Sequence, residues 1–221
     1  MGHTKNEKDE TNKRRNNMEK SKLGPEPLIL PMPALVVGAN VDGKPNFMIA
    51  SWCGIAAYKP PAITVAMNKA RYTLKGIREN GTFSVNVPSC EIIKKTDYCG
   101  IYSGRKKDKS QIFKTFYGEL KTAPLIQECP INLECKVLHY LDMKTHILIV
   151  GEIIETYITS GCLTDGKADP EKIDPPVYIR PTMKYHRLGE VLASAFNVGK
   201  ENGDARNPET ILSNNMTGHS I

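Results

Sequence analysis

INLECKVLHYL (residues 131–141) and THILIVGEIIETYIT (residues 145–159) are the two stretches of sequence that decide the fold class. Both are rich in β-branched and aromatic residues, and only Asp142-Met143-Lys144 separates them. Two long β-rich runs joined by so short a link are typical of a β-hairpin. The centre of the chain is therefore predicted to be antiparallel sheet.

Further strands are predicted on both sides of this hairpin, because short β-rich runs alternate there with Gly, Pro and Asp turn residues. They cover residues 34–39, 46–53, 62–67, 83–87, 177–180 and 183–188. Since the strands do not alternate regularly with helices, a closed or split antiparallel barrel fits better than a doubly wound parallel sheet. The prediction is a mainly β fold with a few short helices.

Two of those helices are predicted from their end signals. One runs from Thr73 to Asn80, with the Thr73 hydroxyl as its N-cap and Gly81 as its stop. The other runs from Ser89 or Cys90 to about Tyr98, with Ser89 as its cap and Gly100 beyond its end.

The composition indicates one folded domain with a polar tail at each end. Residues 1–22 hold seven of the basic residues and four acidic ones without apolar periodicity, and are predicted to be a disordered, solubilising basic tail. The domain is predicted over 23–200, and residues 201–221 form a mobile C-terminal tail. The formal net charge of +6 does not indicate nucleic-acid binding, because the basic tail has no interleaved aromatic residues.

Several classes of function are excluded by missing signals. No apolar run approaches the roughly 18 residues of a membrane span, and no secretory signal is present, so a cytoplasmic protein without membrane contact is expected. The six cysteines are scattered and form no Cys-x-x-Cys, which predicts reduced thiols and no metal site. The sequence also has no Rossmann, P-loop or hydrolase nucleophile motif.

One part of the sequence does point to chemistry. The only tryptophan, Trp52, lies among small and hydroxylic residues, and Arg71-Tyr72-Thr73 follows at a predicted helix start. A helix N-terminus, a guanidinium and a hydroxyl together suit a phosphate group. From the residues alone, Thr73 could equally be a plain N-cap, Arg71 a solvated charge and Trp52 a core residue.

Taken together, five ordered blocks resemble the flavin-reductase-like, FMN-binding split-barrel family, and most of all its flavoredoxin branch. The resemblance covers about residues 24 to 200. The blocks are Asn46-x-Met48-x-x-Ser51-Trp52, Pro60 to Val65, Arg71-x-Thr73-x-x-x-Ile77 with Gly81-x-Phe83 to Pro88, Asp97 to Lys109, and Tyr185 to Val191 with Phe196-x-Val198-Gly199-Lys200.

The resemblance implies a homodimer of a six-stranded antiparallel split barrel that binds FMN near the subunit interface. It also implies where FMN is held. Met48, Ile49, Ala50, Ser51, Trp52 and Cys53 would line the ring and ribityl chain, Asn68 would lie near the flavin, and Arg71, Tyr72 and Thr73 would hold the phosphate. Ser103 and Lys109 belong to the loop from Cys99 to Lys109, whose basic residues could steady a flavin phosphate or the phosphates of a nicotinamide donor, or could simply be solvated.

Two side chains depart from the family pattern. Ile49 stands where the family often has Thr, and Ala57 where it often has Ser. Cys53 and Cys99 could be redox-active beside a flavin, although packing as small apolar thiols is the expected role. No catalytic acid or base is predicted.

The family resemblance leaves two functions open. The predicted function is an NAD(P)H-dependent flavin reductase, an enzyme whose electron donor the sequence does not identify. The alternative is a flavoredoxin-type electron carrier that passes electrons between protein partners without oxidising NAD(P)H. In both cases the flavin supplies the two-electron chemistry, while the protein supplies position and electrostatics. The sequence does not separate them.

Overall fold

The computed structural model describes residues 20–200. Nearly all of the predicted basic tail and the whole predicted C-terminal tail therefore lie outside the described residues. Within residues 20–200, no helix is long and apolar enough to cross a membrane.

Short strands dominate the described chain, and three α-helices lie between them. The strands are β1 (Met32–Pro33), β2 (Leu35–Val41), β3 (Lys44–Ala50), β4 (Cys53–Tyr58), β5 (Pro61–Asn68), β6 (Thr82–Val87), β7 (Thr115–Phe116), β8 (Leu125–Ile126), β9 (Ile131–Met143), β10 (His146–Ile158), β11 (Leu163–Thr164), β12 (Lys167–Ala168), β13 (Val177–Ile179) and β14 (Lys184–His186). The helices are α1 (Thr73–Asn80), α2 (Ile93–Ile101) and α3 (Pro170–Ile173).

Seven of the strands form one antiparallel sheet in the order β3-β2-β6-β9-β10-β5-β4. The two edge strands, β3 and β4, follow each other in the chain, and the Ala66 N–H donates to the Trp52 carbonyl at 2.8 Å where the chain passes from one to the other. The sheet therefore curls so that its edges meet at Ser51-Trp52. The resemblance implied six strands, and the seventh is β4, which lies beyond the predicted strand 46–53 except for Cys53.

The predicted hairpins are confirmed. β9 and β10 pair along their whole length around a turn at Lys144 and Thr145. β2 and β3 pair around Asp42-Gly43, where both residues have positive φ, as a tight two-residue hairpin turn requires. Turn chemistry therefore fixes the register of the β2–β3 hairpin, whereas the β9–β10 pairing shifts register twice, between Val150 and Gly151 and between Ile153 and Glu155.

Two hydrophobic clusters hold the fold together. The larger one fills the curled sheet and includes Val65, Phe83 and Ile149, each without measurable exposure. The smaller one lies between β2, β3 and α2 and includes Phe47 and Cys99. Burying these side chains supplies most of the stability, because each large apolar side chain contributes about 1.5 to 3 kcal/mol.

Helix α1 begins differently from the prediction. Gly81 ends it in the left-handed region, as predicted (φ +66°), but the N-cap is Tyr72 and Thr73 is the first helical residue. The Thr73 hydroxyl does not cap the helix because it accepts a hydrogen bond from the Asn46 side chain at 2.7 Å. Thr73 is thus tied to β3.

Helix α2 also differs at both ends. Ser89 makes no side-chain cap, a 3-10 turn precedes the α-helix, and the helix continues through Gly100 to Ile101. Gly100 is a packing residue rather than a stop, since a Cβ there would lie 2.6 Å from Cγ2 of Ile49. The missing side chain lets α2 pack closely on β3.

Candidate functional site

A pocket of about 340 Å³ opens between β3, the start of α1 and the end of α2. This volume lies within the usual range for small-molecule sites, which is roughly 300 to 1,000 Å³. Its lining residues are Asn46, Met48, Asn68, Ala70, Arg71, Tyr72, Thr73, Cys99, Tyr102, Ser103, Gly104 and Lys109. We call it the α1 pocket.

The structure brings seven of the predicted site residues together in this pocket. They are Met48, Asn68, Arg71, Tyr72, Thr73, Ser103 and Lys109. They come from two strands, a helix start and a loop that lie far apart in the sequence. The motif order therefore predicted a real spatial cluster.

The other five predicted residues do not line the pocket. They form the end of β3, the bend and the start of β4: Ile49, Ala50, Ser51, Trp52 and Cys53. The Ala50 side chain belongs to the sheet core, and the Trp52 ring stacks on His146 with the centroids 4.8 Å apart. Their role beside a flavin ring stays a prediction.

The start of α1 offers unused donors to the pocket. Thr73 is almost fully buried, and its hydroxyl hydrogen remains available because its oxygen is the acceptor of the bond from Asn46. Among the described residues, the backbone N–H groups of Tyr72 and Thr73 have no hydrogen-bond acceptor. Free N–H groups at a helix start favour an anion.

Lys109 is the most unusual side chain of the pocket. It is only 3% exposed, and its ammonium donates to the carbonyls of Phe47 and Cys99, both at 2.9 Å. In residues 20–200 no carboxylate lies within 4.0 Å of this ammonium. Burial above all, with Arg71 nearby, lowers the pKa of Lys109 below its usual 10.5.

Arg71 adds a second cation to the same pocket. Its guanidinium has one hydrogen bond, to the Gly100 carbonyl at 3.3 Å, and no ion pair in the described part of the chain. Arg71 is exposed, whereas Lys109 is buried, and a buried charge normally needs a partner of opposite sign. Two cations without a carboxylate, facing free N–H groups, therefore form an anion site.

Tyr72 contributes less than its position suggested. Its hydroxyl donates to Asp42 at 3.2 Å, and the Arg105 guanidinium lies 5.8 Å from its ring centroid. The Asp42 pKa is lowered chiefly by its hydrogen bond from Lys75. Since this carboxylate already binds the phenol, Tyr72 can offer its backbone N–H and its ring edge to a ligand.

The thiols near the site are protonated at neutral pH. Burial raises the pKa of Cys99 to about 11 and that of Cys53 to about 12. A thiolate is the reactive form of cysteine, so neither side chain is activated. All six cysteines are free thiols in this structure.

Five pocket residues were not among the predicted site residues: Asn46, Ala70, Cys99, Tyr102 and Gly104. Asn46 belongs to the quoted motif, and a polar residue within a buried strand could have indicated a site residue. Gly104 precedes the basic run, and a Cβ there would collide with the Asn46 amide and lie 2.7 Å from Cδ1 of Tyr72. A side chain at this position would fill the pocket.

Comparisons with known proteins agree with this geometry. The model of a family described as "Flavin reductase like domain" matches residues 28–184. The structure of a flavoredoxin from Methanosarcina acetivorans superposes with a TM-score of 0.81 at 46% identity, covering 83% of this chain and 98% of that one. For a flavoredoxin of Desulfovibrio vulgaris (Miyazaki F) the TM-score is 0.76 at 37% identity, covering 82% and 100%.

A protein named as an enzyme is also similar in sequence. It is described as ferric-chelate reductase (NAD(P)H) from Archaeoglobus fulgidus, and it is 30% identical over 129 residues, which are 56% of this chain and 73% of that protein.

Proposed function

The chain belongs to the flavin reductase like domain family, and we propose that it binds FMN in the α1 pocket and works as a flavoredoxin-type electron carrier. Its curled sheet is the split barrel of this FMN-binding family. The observation that supports the cofactor best is the buried Lys109 ammonium, which has no carboxylate partner among residues 20–200.

The pocket residues fit an FMN phosphate. Lys109 and Arg71 supply two positive charges, and the start of α1 supplies the Tyr72 and Thr73 N–H groups and the Thr73 hydroxyl. A phosphate dianion placed there would neutralise both cations and occupy these donors. Met48 and Asn68, which line the same pocket, would contact the ribityl chain or the ring edge.

Bound FMN would supply two-electron redox chemistry, and the side chains of the chain would supply binding and position. Arg71 and Lys109 would hold the phosphate end, and the close contact of Gly100 with Ile49 would fix α2 against β3 beside the pocket. The protonated thiols of Cys53 and Cys99 would stay spectators.

The carrier role is supported by the relatives at higher identity. The two flavoredoxin structures are 46% and 37% identical to the chain, whereas the ferric-chelate reductase is 30% identical over a shorter region. That relative nevertheless supports a second candidate, an NAD(P)H-dependent reductase of free flavin or ferric chelates.

Two measurements test the proposal. The purified protein should be yellow, with the absorption spectrum of one oxidised FMN per chain, and a colourless folded protein that does not take up added FMN would refute the cofactor. In steady state, NADH or NADPH oxidation with added FMN or ferric chelate should be almost absent. Rapid turnover would instead establish the reductase.

We also propose that the protein is a homodimer. β4 is exposed along most of its length, with Ile55 73% exposed, and the end of the β9–β10 hairpin exposes Leu141 and Met143. Large apolar side chains exposed along a sheet are typical of an interface. Sedimentation of the FMN-bound protein as a 24.6 kDa monomer at micromolar concentration would disprove the dimer.

A further inference from the structure

The mouth of the α1 pocket is surrounded by an excess of positive charge. Two shallow depressions adjoin the pocket: one shares Asn46, Tyr72, Gly104 and Lys109 with it, and the other shares Arg71. The side chains that line these two depressions include nine basic and three acidic residues. Positive charge is therefore concentrated where the proposed cofactor is reached from solvent.

Besides Arg71 and Lys109 of the α1 pocket, five of these basic side chains have no ion pair within the chain segment that the structure describes, residues 20–200. They are Lys44, Arg78, Arg105, Lys106 and Lys107, and we call them the basic rim. Lys75 and Lys69, by contrast, are neutralised by Asp42 and Asp142 at 2.6 Å. The basic rim is free to bind a ligand of negative charge.

The shape of the basic rim suits a broad partner better than a small anion. Its members come from the start of β3, helix α1 and the loop after α2, and they are spread over two depressions, both of which Arg105 lines. Sites for small ligands are concave and place a few polar groups so that they converge. A spread of exposed cations instead matches an acidic protein face, which it would attract over distance.

Two exposed apolar side chains lie beside the basic rim. Ile101 and Tyr102, at the end of α2, are 66% and 41% exposed, and Tyr102 lines the mouth of the pocket. Stable protein contacts combine apolar or aromatic anchors with a polar rim. A single-stranded nucleic acid would need several exposed aromatic faces for its bases, whereas the ring of Tyr72 already packs against Arg105.

We propose that the basic rim, with Ile101 and Tyr102, is the docking surface for an electron-transfer protein whose contact face is acidic. This inference rests on the proposed function as an FMN carrier. Docking over the pocket mouth would bring the partner's redox centre toward the flavin. Two reduced one-electron partners would be oxidised for each flavin reduced, with the accompanying protons taken from solvent.

The test uses the full-length FMN-bound protein and an acidic [2Fe–2S] ferredoxin as the probe. Binding of the oxidised ferredoxin, measured by calorimetry, and the rate of electron transfer from the reduced ferredoxin should both fall at least tenfold when salt is raised from 20 to ~200 mM, as expected of steering by opposite charges. A basic cytochrome c of similar size should show no such binding.

The variant Lys106→Glu/Lys107→Glu tests whether the basic rim itself binds the ferredoxin. Both side chains are exposed, and the described contacts of these two residues are backbone hydrogen bonds to Ser103, so FMN content should not change. The matched control is Lys167→Glu/Lys184→Glu, which changes the net charge equally but lies on β12 and β14, outside the pocket and both depressions. Ferredoxin affinity should drop at least tenfold in the first variant and less than twofold in the control.

Four results would overturn the inference while leaving the FMN proposal intact. These are equal losses in both variants, no loss in either, rim-dependent binding of phosphatidylserine vesicles in place of ferredoxin, and rim-dependent binding of a single-stranded oligonucleotide in place of ferredoxin. Failure of the proposed function is recognised separately, because the unaltered protein would then show no flavin absorption.

Discussion

Replacing Arg71 by alanine should weaken FMN binding without unfolding the protein. If the guanidinium pairs with the phosphate beside the start of α1, its loss removes one charge-assisted contact of roughly 1.5 to 3 kcal/mol. That energy corresponds to an increase of about ten- to a hundredfold in the FMN dissociation constant. Fluorescence titration of the apoprotein with FMN measures it directly.

The structure also gives the expected effect of Arg71→Ala on stability. The Arg71 side chain is exposed, and its one described hydrogen bond is to the Gly100 carbonyl at 3.3 Å. A contact this exposed contributes at most about 1 kcal/mol. The urea midpoint of the apoprotein should therefore change little, which separates a binding effect from damage to the fold.

Riboflavin, which has no phosphate, supplies the decisive comparison. It should bind the unaltered protein and Arg71→Ala almost equally. Arg78, an exposed cation within helix α1, supplies the control, because Arg78→Ala should leave FMN affinity within about twofold. Equal losses for FMN and riboflavin, or no loss for either, would place the phosphate elsewhere. Arg105, in the loop after α2, would then be the next candidate.

Three further outcomes follow from buried groups. Because burial lowers the pKa of Lys109, its ammonium should destabilise the apoprotein below that pKa, and this penalty should disappear as pH rises toward 10.5. The buried thiols, whose pKa values are raised, act in the opposite direction over part of this range, so the effect is measured as the difference between the unaltered protein and Lys109→Met. In urea unfolding, Lys109→Met should be the more stable protein at pH 7, and its advantage should shrink toward pH 10.5. Gly104→Ala should cost about 1 to 3 kcal/mol of FMN binding energy through the contact with Tyr72, whereas Gly161→Ala, with nothing within 4 Å, should be neutral in the same titration. Glu134→Gln should lower the free energy of unfolding by about 2 to 4 kcal/mol, since an amide would face backbone donors; an unchanged urea midpoint would contradict this.

Local signals predicted most of the fold. The β2–β3 hairpin follows from Asp42-Gly43, because few other dipeptides accept two positive φ angles, and the stop of α1 follows from Gly81. Gly100 misled the prediction because a glycine that ends a helix and one that allows close packing look alike in sequence. Only the contact with Ile49, about fifty residues away, distinguishes them.

Site residues that belong to one short segment could be predicted from the sequence. Residues that join the site only through packing of distant segments could not. Arg71 and Thr73 belong to a local motif, so their position beside a pocket followed from the sequence. Lys109 stands in a run with Lys106 and Lys107, and composition cannot tell which of these is buried. The distinction depends on the carbonyls of Phe47 and Cys99, which reach Lys109 only after β3 and α2 have packed.

The described chain has two buried charged side chains, Lys109 in the α1 pocket and Glu134. Comparing them shows why only the Lys109 site is expected to bind a ligand. Glu134 has no exposed surface, but its carboxylate accepts from three backbone N–H groups and from the Tyr157 hydroxyl, so its negative charge is stabilised within the protein. Lys109 donates to two carbonyls and faces a second cation, Arg71. Neutral acceptors relieve only part of the cost of burying an ammonium, and the nearby guanidinium adds to that cost. The Glu134 site is complete without a ligand, whereas the Lys109 site becomes electrostatically complete when an anion enters, which is the role that the FMN phosphate would fill.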